Sequence, residues 1–373
     1  MQRYFATVAR GLESVAVKEL TALGAKHIKP DFSGVHFAGD RALLYRVNLC
    51  ARTIFRVLVP IAEFRCRHAR ELYRAIQNID WREHLSPEQT LAIDCTGGNR
   101  QLNHTHFTAL QVKNAIVDQQ RAQTGQRSSV DAKSPDLRLN LHIYQQRGVL
   151  SLDSSGSSLH RRGYRQAMGQ APLKETLAAA LIQLTGWQGD VPFYDPLCGS
   201  GTLVLEAALL AKRIPPGSFR QQFTFERWRN FDAQVWEHVQ QTNREQVLAD
   251  LPVPIVGSDH DPEQLQLAYT NAKNARLSEQ IRLFPAELSG LEPPTDPGIL
   301  VCNPPYGHRL GIEEELGPFY QELGDVLKQR FTGWTAYVLT TKILSKYIGL
   351  QATQRIPIYN GSLACTFLKY ELY

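Results

Sequence analysis

Apolar and polar residues recur along the chain with two periods, one typical of strands and one typical of helices. In the first 60 residues the two kinds of segment follow a β-α-β-α-β order, which favours a small ferredoxin-like α+β domain over residues 1–60. Gly24 is expected to end the first helix. Strands are predicted at 4–9, 35–37 and 56–59, and helices at 12–23 and 40–50.

A second α+β region is predicted over residues 61–155. The segment 137–143 alternates strictly between apolar and polar residues, as a half-buried strand does, and 148–153 is its expected hairpin partner. The remaining elements of this region are predicted as helices at 71–79 and 106–120 and a strand at 91–95.

The Ser/Gly run at 154–158 has the composition of a flexible linker, and we assign residues 156–170 to the joint between domains. Pro172 suits the first turn of the helix that follows. That helix carries a stripe of leucines at helical spacing, which indicates a core-facing side. The stripe consists of Leu173, Leu177, Leu181 and Leu184.

From residue 171 to 373 short apolar strands alternate with helices, as in a Rossmann-like α/β domain. The chain closes with two extended segments around Asn360-Gly361, a dipeptide that favours a type I′ hairpin turn. Strands are predicted at 191–194, 254–259, 280–284, 298–302 and 334–340, a helix at 318–331, and the hairpin strands at 355–359 and 362–372.

The stretch DPLCGSGT links the first of these strands to a helix, which is the arrangement of nucleotide-binding loops. Its glycines allow backbone angles and a close ligand approach that a Cβ would prevent. No third glycine follows at the dinucleotide spacing, which speaks against NAD. The candidate cofactor-binding residues are Asp195, Cys198, Gly199, Ser200, Gly201 and Thr202, and the last of these is equally suited to cap the helix.

Two acidic residues follow the next predicted strands. Asp259 ends the strand at 254–259, where a carboxylate can accept hydrogen bonds from both hydroxyls of a ribose. Asp261 and Pro262 are the expected start of the next helix. Glu287 comes just after the third strand and completes the candidate cofactor-binding set.

The turn Asn303-Pro304-Pro305-Tyr306 follows the fourth predicted strand. Neither Pro304 nor Pro305 has an N–H to donate, so the strand must end there. Asn303 offers an amide acceptor, Pro304 a rigid carbonyl and Tyr306 an aromatic face, which together suit a flat ligand with an exocyclic amino group. The alternative is a strand that simply ends in a proline-rich loop.

Residues 219–231 interleave aromatic and arginine side chains. Such a segment either stacks on nucleic-acid bases or packs an insertion onto the sheet, and we favour the packing interpretation.

At 373 residues the chain is long enough for two or three domains, and it contains no apolar run of the roughly 18 residues that a membrane-spanning helix needs. Residues 1–165 hold 24 Lys and Arg against 14 Asp and Glu, whereas residues 166–373 hold 17 against 22. A basic first part favours binding to a polyanion, with a solvated basic surface as the alternative. Six scattered cysteines without a C-x-x-C pair indicate reduced thiols, a cytoplasmic location and no zinc site.

Several stretches of this sequence resemble a known family. The run from Asn303 to Tyr306 resembles the [Asn/Asp]-Pro-Pro-[Tyr/Phe/Trp] signature of the amino-methylating S-adenosylmethionine-dependent methyltransferases. RRGYR at 161–165, APLKETLAAAL at 171–181 and the C-terminal IYNGSLACTFLKYEL resemble the THUMP-domain-containing RNA guanine-N2 methyltransferases, in particular the first methylase module of the bacterial 23S ribosomal RNA form. In its layout, the region 61–155 resembles the THUMP RNA-binding module.

The resemblance implies a mixed seven-stranded sheet of order 3-2-1-4-5-7-6 in a methyltransferase domain over 171–373. It implies that DPLCGSGT faces the methionine part of S-adenosyl-L-methionine, that Asp259 holds the ribose and that Glu287 holds the adenine amino group. Asn303 and the Pro304 carbonyl would accept hydrogen bonds from the target NH2, and Tyr306 would stack on the base.

The expected function is therefore methylation of guanosine N2 in RNA, with 23S ribosomal RNA as the expected substrate. Transfer RNA, adenine N6 and a protein glutamine are alternative targets. An RNA-binding module on an inactive methylase fold is disfavoured, because the acidic and glycine positions at 195, 199, 201 and 259 are intact. Bacterial relatives often carry a second methylase module that this sequence does not contain, which leaves the modified nucleotide open. We expect no metal and no membrane partner.

Overall fold

The computed structural model describes residues 1–165, 173–307 and 312–373, which form two β-sheets flanked by helices. The first sheet has eight strands in the order β2-β3-β1-β4-β8-β7-β5-β6. The elements of this first part are β1 (Gln2–Val8), α1 (Glu13–Ala22), β2 (Lys26–Asp31), β3 (Gly34–Gly39), α2 (Arg41–Cys50), β4 (Ile54–Arg65), α3 (Ala69–Gln77), β5 (Thr90–Gly98), α4 (Thr105–Thr124), β6 (Ser129–Val130), β7 (Leu137–Tyr144) and β8 (Arg147–Asp153).

The first six elements follow a β-α-β-β-α-β order, so the ferredoxin-like prediction is confirmed but the expected order lacked β2. The sequence of β2 gives no apolar pattern because the strand lies at the sheet edge, where only Ile28 is partly buried. Pro30 is tolerated there for the same reason. At the end of α1 the capping residue is Leu23, and Gly24 takes a left-handed φ of 91° directly after it.

β4 connects the two regions that the sequence separated. It pairs with β1 around Leu58 and continues to pair with β8 as far as Arg65, well beyond the predicted strand at 56–59. The boundary placed between residues 60 and 61 therefore falls inside a strand, and both regions share one sheet. The predicted hairpin of β7 and β8 is antiparallel, with Leu139 opposite Leu152.

The second sheet belongs to the predicted Rossmann-like domain, and its order is β11-β10-β9-β12-β13-β15-β14. Counted within the domain this is 3-2-1-4-5-7-6, so the predicted topology is confirmed. Its elements are α5 (Glu175–Thr185), β9 (Phe193–Asp195), α6 (Thr202–Ala211), α7 (Ala233–Arg244), β10 (Ile255–Asp259), α8 (Pro262–Asn274), β11 (Arg282–Pro285), β12 (Ile299–Cys302), α9 (Ile312–Arg330), β13 (Thr335–Thr340), β14 (Gln354–Asn360) and β15 (Leu363–Glu371).

Two boundaries in this domain differ from the predictions. α9 begins at Ile312 and carries Pro318 in its interior, whereas the sequence suggested that the helix starts at that proline. In the closing hairpin Asn360 pairs with Leu363, and of the two residues between them only Gly361 has a positive φ. This is the pattern of a type II′ turn, so the predicted type I′ turn centred on Asn360-Gly361 is wrong.

The predicted helix start at Pro172 and the part of the joint at 166–170 lie outside the described residues. Within the ranges that the structure describes, no helix combines the length and apolar character needed to cross a membrane.

The prediction of a flexible linker at 154–158 is wrong, because its first serines are buried and hydrogen-bonded. The Asn48 side chain donates to Ser154 Oγ at 2.9 Å and accepts from Ser155 Oγ at 2.7 Å. The Val57 N–H also donates to Ser155 Oγ. Both serines have zero exposed surface. These hydroxyls fix the start of the joint against α2 and β4.

The aromatic residues of the segment 219–231 pack into the protein, as in the favoured interpretation, but all except Phe219 pack in the core of the first part and not on the second sheet. Tyr45 of α2 stacks on Phe225 with ring centroids 4.4 Å apart. Phe223 also stacks on Phe225, with ring centroids 5.3 Å apart. Trp236 of α7 meets both phenylalanines edge-on. The segment is thus an insertion of the second domain that holds the first sheet in place.

A buried ion pair lies at the centre of the joint. Arg162 donates to both carboxylate oxygens of Glu206 on α6, each at 3.2 Å, and neither side chain is more than 1% exposed. Arg162 also donates to the carbonyls of Leu159 and Arg52, and Tyr164 donates its hydroxyl proton to Glu206. This cluster ties the joint and the end of α2 to the helix that follows the glycine-rich loop.

We expect Glu206→Gln to destabilise the protein by about 3–5 kcal/mol, because it leaves the Arg162 charge buried without its partner. Urea unfolding followed by tryptophan fluorescence measures this loss. Glu371→Gln is the matched control, since Glu371 pairs with Lys369 at a partly exposed position and its loss should change stability by about 1 kcal/mol or less. Equal unfolding curves for the two variants would contradict this role of the buried pair.

Candidate active site

The candidate site lies at the carboxyl edge of the second sheet. β10 runs parallel to β9 and β11, and β12 runs parallel to β9 and β13. Because parallel strands end at the same edge, the residues that follow them come together there. Every candidate site residue taken from the sequence is at or just beyond the end of one of these strands.

The glycine-rich loop between β9 and α6 is built on left-handed backbone. Gly199 has a φ of 51° and Gly201 a φ of 83°, angles that strain any residue with a Cβ. A Cβ on Gly201 would lie 3.1 Å from Ala268 of α8, so the loop also packs closely on that helix. At Gly199 the nearest atom to an added Cβ is Gln264 Oε1 at 4.0 Å, which leaves room for a ligand beside the backbone.

Thr202 does not cap α6, because Gly201 holds the N-cap position and Thr202 is the first helical residue. The Thr202 hydroxyl instead accepts a hydrogen bond from Arg165, which also pairs with Glu175 at 3.2 Å. The backbone carbonyl of Ser200 accepts from the Asn271 side chain at 3.1 Å. Arg165 was not identified from the sequence as part of the site, and only the tertiary structure brings it to the loop.

Asp259 holds the glycine-rich loop in place. Its Oδ2 accepts the Gly199 N–H at 2.8 Å, and its Oδ1 accepts the Asp261 N–H at 3.0 Å. Asp261 also caps α8 by accepting the N–H of Glu263, as the sequence predicted for the start of this helix. A carboxylate oxygen has two lone pairs, so Asp259 keeps acceptor capacity for a ligand hydroxyl.

Asp195 and Cys198 are buried below the loop. Burial raises the pKa of Asp195 well above its ordinary value, the hydrogen bond from the Leu197 N–H opposes this, and the charge of Asp259 raises the pKa further. Burial, together with the charges of Asp195 and Asp259, also raises the pKa of the Cys198 thiol well above its ordinary value. Cys198 therefore lines the loop as a neutral thiol rather than as a nucleophile.

Glu287 is exposed and begins a short 3-10 turn, Leu288–Gly290, without capping it through its side chain. The Ala286 N–H donates to the Asp259 carbonyl at 3.0 Å, so Glu287 comes directly after a residue bound to the end of β10. The carboxylates at 259 and 287 thus follow neighbouring strands on one side of the loop.

The turn after β12 contains an acceptor without a donor. Asn303 Oδ1 is buried, and among the described residues it has no hydrogen-bond partner. Leaving such a group unpaired costs about 1–3 kcal/mol and calls for an explanation, and among the eight unpaired buried side-chain atoms of the described residues only Asn303 Oδ1 is purely an acceptor.

The backbone and ring of this turn are fixed by residues from three other elements. Tyr320 of α9 donates to the Pro305 carbonyl at 3.1 Å, and Thr340 at the end of β13 donates to the Tyr320 hydroxyl at 2.7 Å. Asn360, at the end of β14, donates to the Tyr306 hydroxyl at 3.1 Å. These contacts hold the backbone of the turn at Pro305 and the ring of Tyr306.

Tyr306 is half-buried and packs against the cores on both faces of the sheet. Burial raises the pKa of its hydroxyl, the nearby Cys365 raises it further, and the hydrogen bond from Asn360 opposes the rise. The ring stays neutral and is held in one orientation. Tyr320, Thr340 and Asn360 could not be identified from the sequence as supports for this turn, because each is separated from it along the chain and has the pattern of an ordinary core or turn residue.

Family models match the chain over most of its length. A model described as an RMKL-like methyltransferase domain matches residues 162–369, a THUMP domain model matches 66–153, and a model of the RlmL ferredoxin-like domain matches 3–58.

Relatives and a solved structure are similar over the whole chain. The Synechocystis protein slr0064, provisionally named an RNA methyltransferase, is 57% identical over 99% of this chain and 97% of its own. The ribosomal RNA large subunit methyltransferase K/L of Syntrophotalea carbinolica is 42% identical over 99% of this chain, which spans 53% of that relative's length. The crystal structure of the methyltransferase-like protein SMU.472 in complex with SAH is 28% identical, with a TM-score of 0.88 over 100% of this chain and 98% of that one.

We expect Asp195→Asn to stabilise the protein by about 0.5–2 kcal/mol at pH 8, because it removes a buried charge while keeping an acceptor for the Leu197 N–H. A raised carboxyl pKa lowers stability as pH rises through it, so the advantage of the variant should shrink as pH falls toward about 4. Unfolding midpoints at several pH values measure this difference.

The control is Asp325→Asn, an exposed position on α9. It should show little change at any pH. An Asp195→Asn variant that is no more stable than wild type at pH 8 would contradict the inferred cost of the buried charge.

Proposed function

The chain belongs to the RMKL-like methyltransferase family, and we propose that it transfers a methyl group from S-adenosyl-L-methionine to the exocyclic N2 amino group of a guanosine in ribosomal RNA. One observation carries the proposal: among the described residues the buried Oδ1 of Asn303 has no partner, on a turn that Tyr320 and Asn360 hold by hydrogen bonds. An exocyclic NH2 is the group that would satisfy it.

The residues at the glycine-rich loop fit the methyl donor. Gly199 and Gly201 leave a cradle beside the backbone, Asp195 offers a buried carboxyl as an acceptor for an ammonium group, and Asp259 keeps capacity for ribose hydroxyls. Cys198, Ser200 and Thr202 complete the loop, and Glu287 is placed to accept from an adenine amino group. When bound, S-adenosyl-L-methionine supplies an electrophilic sulfonium methyl.

The chain's own contribution at the target is to hold the amine. Asn303 Oδ1 and the Pro304 carbonyl accept its two N–H groups, as the family signature implies, and this directs the nitrogen lone pair away from the turn. These N–H groups become more acidic as the nitrogen forms its new bond, so an acceptor stabilises the transition state more than the ground state. Pro305 stiffens the turn, and Tyr306 stacks on the base.

Several features support RNA as the substrate. The chain has a THUMP domain ahead of the methyltransferase domain, its first 165 residues carry a net charge of +10, and relatives are named ribosomal RNA methyltransferases. A base must leave its stack to reach the half-buried Asn303. The six free cysteines are consistent with a cytoplasmic enzyme.

Mass spectrometry of nucleosides from ribosomal and transfer RNA tests the choice of target. RNA from a strain that lacks this chain should lose one N2-methylguanosine in the large-subunit ribosomal RNA, and the purified protein should restore it. Loss of the same nucleoside from transfer RNA, or of N6-methyladenosine, would favour the alternative targets and contradict the proposal.

Asn303→Ala should lower the single-turnover rate of RNA methylation at saturating donor by about 10²–10³, the usual effect of removing one acceptor or donor from a transition state. Asn303→Asp keeps an acceptor oxygen and is the matched control, which we expect to retain most of the activity. Calorimetry should find donor affinity unchanged in both. Asn303→Ala that methylates within about threefold of wild type would refute the role of this turn.

Tyr306 and Asn360 should act as one unit, since they share a hydrogen bond. We expect Asn360→Ala and Tyr306→Phe each to raise the RNA KM by about fivefold, the effect of about 1 kcal/mol, while kcat changes less. The double variant should be no worse than either single variant. Additive effects would show that Asn360 does not position the ring.

A further inference from the structure

A cleft of about 440 Å³ lies between the two parts of the chain, away from the residues assigned to methyl transfer. Three segments line it, and we call it the basic cleft. Residues 133–135 and 138 come from the start of β7 and the loop before it, residues 156, 157 and 161 from the joint, and residues 220–224 and 227 from the insertion of the second domain.

The basic cleft has an excess of positive charge. Its lining contains five cations and, among the described residues, neither Asp nor Glu. Carboxylates from outside the lining neutralise two of the five: Asp94 pairs with Arg138 at 2.9 Å, and Asp136 pairs with Arg227 at 3.6 Å. The lining cations are Lys133, Arg138, Arg161, Arg220 and Arg227.

Arg220 is held rigidly at the floor of the basic cleft. Its guanidinium donates to backbone carbonyls of the joint, among them Ser155, Ser157 and Arg161, at 2.8–3.0 Å. Burial lowers its pKa to about 10, so the group stays charged at neutral pH. Its bonds in the described structure go to neutral oxygens, so its positive charge is not cancelled by a carboxylate bound to it.

Lys133 and Arg161 come from two different segments of the basic cleft, one from the first part and one from the joint. Both side chains are exposed, and the described ion pairs include neither of them. Four residues after Arg161, Arg165 donates to Thr202 at the glycine-rich loop. An anion bound by both the Lys133 and the Arg161 side chains would therefore be fixed relative to the candidate active site.

The aromatic ring at the basic cleft is already in use. The Arg220 guanidinium lies over Phe223 at 5.1 Å, and Phe225 stacks with the same ring at 5.3 Å. A nucleic-acid base thus finds no free aromatic face there, while phosphate oxygens find several donors. The lining is suited to a sugar–phosphate backbone rather than to bases.

We propose that the basic cleft binds the phosphodiester backbone of the RNA substrate, independently of its sequence, and holds it between the two parts of the chain. The proposal rests on the function proposed above, in which RNA is the substrate. The cleft is large enough for more than one phosphate, and its cations come from three separate segments, which fits a chain of phosphates better than a single anion.

The test is RNA binding by the Lys133→Gln/Arg161→Gln double variant of the full chain, measured by fluorescence anisotropy with two labelled RNA hairpins of unrelated sequence. Each lost phosphate contact should reduce the slope of log K against log salt by about 0.7–0.9, so we expect a reduction of about 1.5. Affinity at about 0.15 M salt should fall about tenfold and by the same factor for both hairpins.

The control for net charge is the double variant Lys328→Gln/Lys273→Gln. Both lysines are exposed and lie on helices outside the basic cleft. This control should bind RNA with nearly the wild-type salt slope. Unfolding midpoints should be close to wild type for both double variants, since the replaced side chains are exposed.

Three outcomes would overturn the inference. The first is a cleft variant that matches the Lys328/Lys273 control in affinity and salt slope. The second is displacement of labelled RNA by inorganic phosphate at matched ionic strength, which would indicate a single-anion site. The third is competition by poly-glutamate as strong as that by unlabelled RNA. If the wild-type chain binds neither hairpin, the proposed RNA substrate fails as well, whereas normal wild-type binding with an unaffected variant contradicts the cleft alone.

Discussion

The pairing of β9 with both β10 and β12 is the constraint on which the candidate site depends. Ile255 of β10 and Ile299 of β12 both lie opposite Phe193 of β9, so the two strands that flank β9 are in register with each other. Because all three strands are parallel, their carboxyl ends bring the glycine-rich loop, Asp259 and Asn303 to one edge. Asp259 then holds the loop by accepting the Gly199 N–H. The residues proposed to bind the methyl donor are thus positioned by the sheet.

Among the residues that the structure describes, buried contacts join the two parts of the chain. The Arg162–Glu206 pair connects the joint to α6, and the aromatic insertion around Phe225 packs against α2 of the first part. The same helix, α6, begins at the glycine-rich loop. These contacts would set the distance and orientation between the candidate site and an RNA held by the first part, as proposed above.

Much of the fold could be predicted from the sequence because its strands and helices have local patterns of apolar and polar residues. The strands of the second sheet are short apolar runs, and their order followed from a family resemblance carried by quoted motifs. β2 was not predicted because an exposed edge strand has no apolar alternation. The buried serines at 154 and 155 were mistaken for a linker because their hydrogen-bond partner, Asn48, lies about a hundred residues away along the chain. Composition describes what a segment is made of and does not reveal its distant hydrogen-bond partners.

The candidate site shows the same division. Asn303 was identified from its place after a strand and before two prolines, yet the unpaired state of its oxygen depends on how Tyr320 and Asn360 hold the turn.

The most direct test of the account is a crystal structure with S-adenosyl-L-homocysteine and a guanosine-containing RNA fragment. In that complex we expect Asn303 Oδ1 to lie at about 2.7–3.2 Å from the exocyclic nitrogen of the target base. A complex in which that oxygen is bonded to another protein group, or in which the base lies away from the turn, would contradict it.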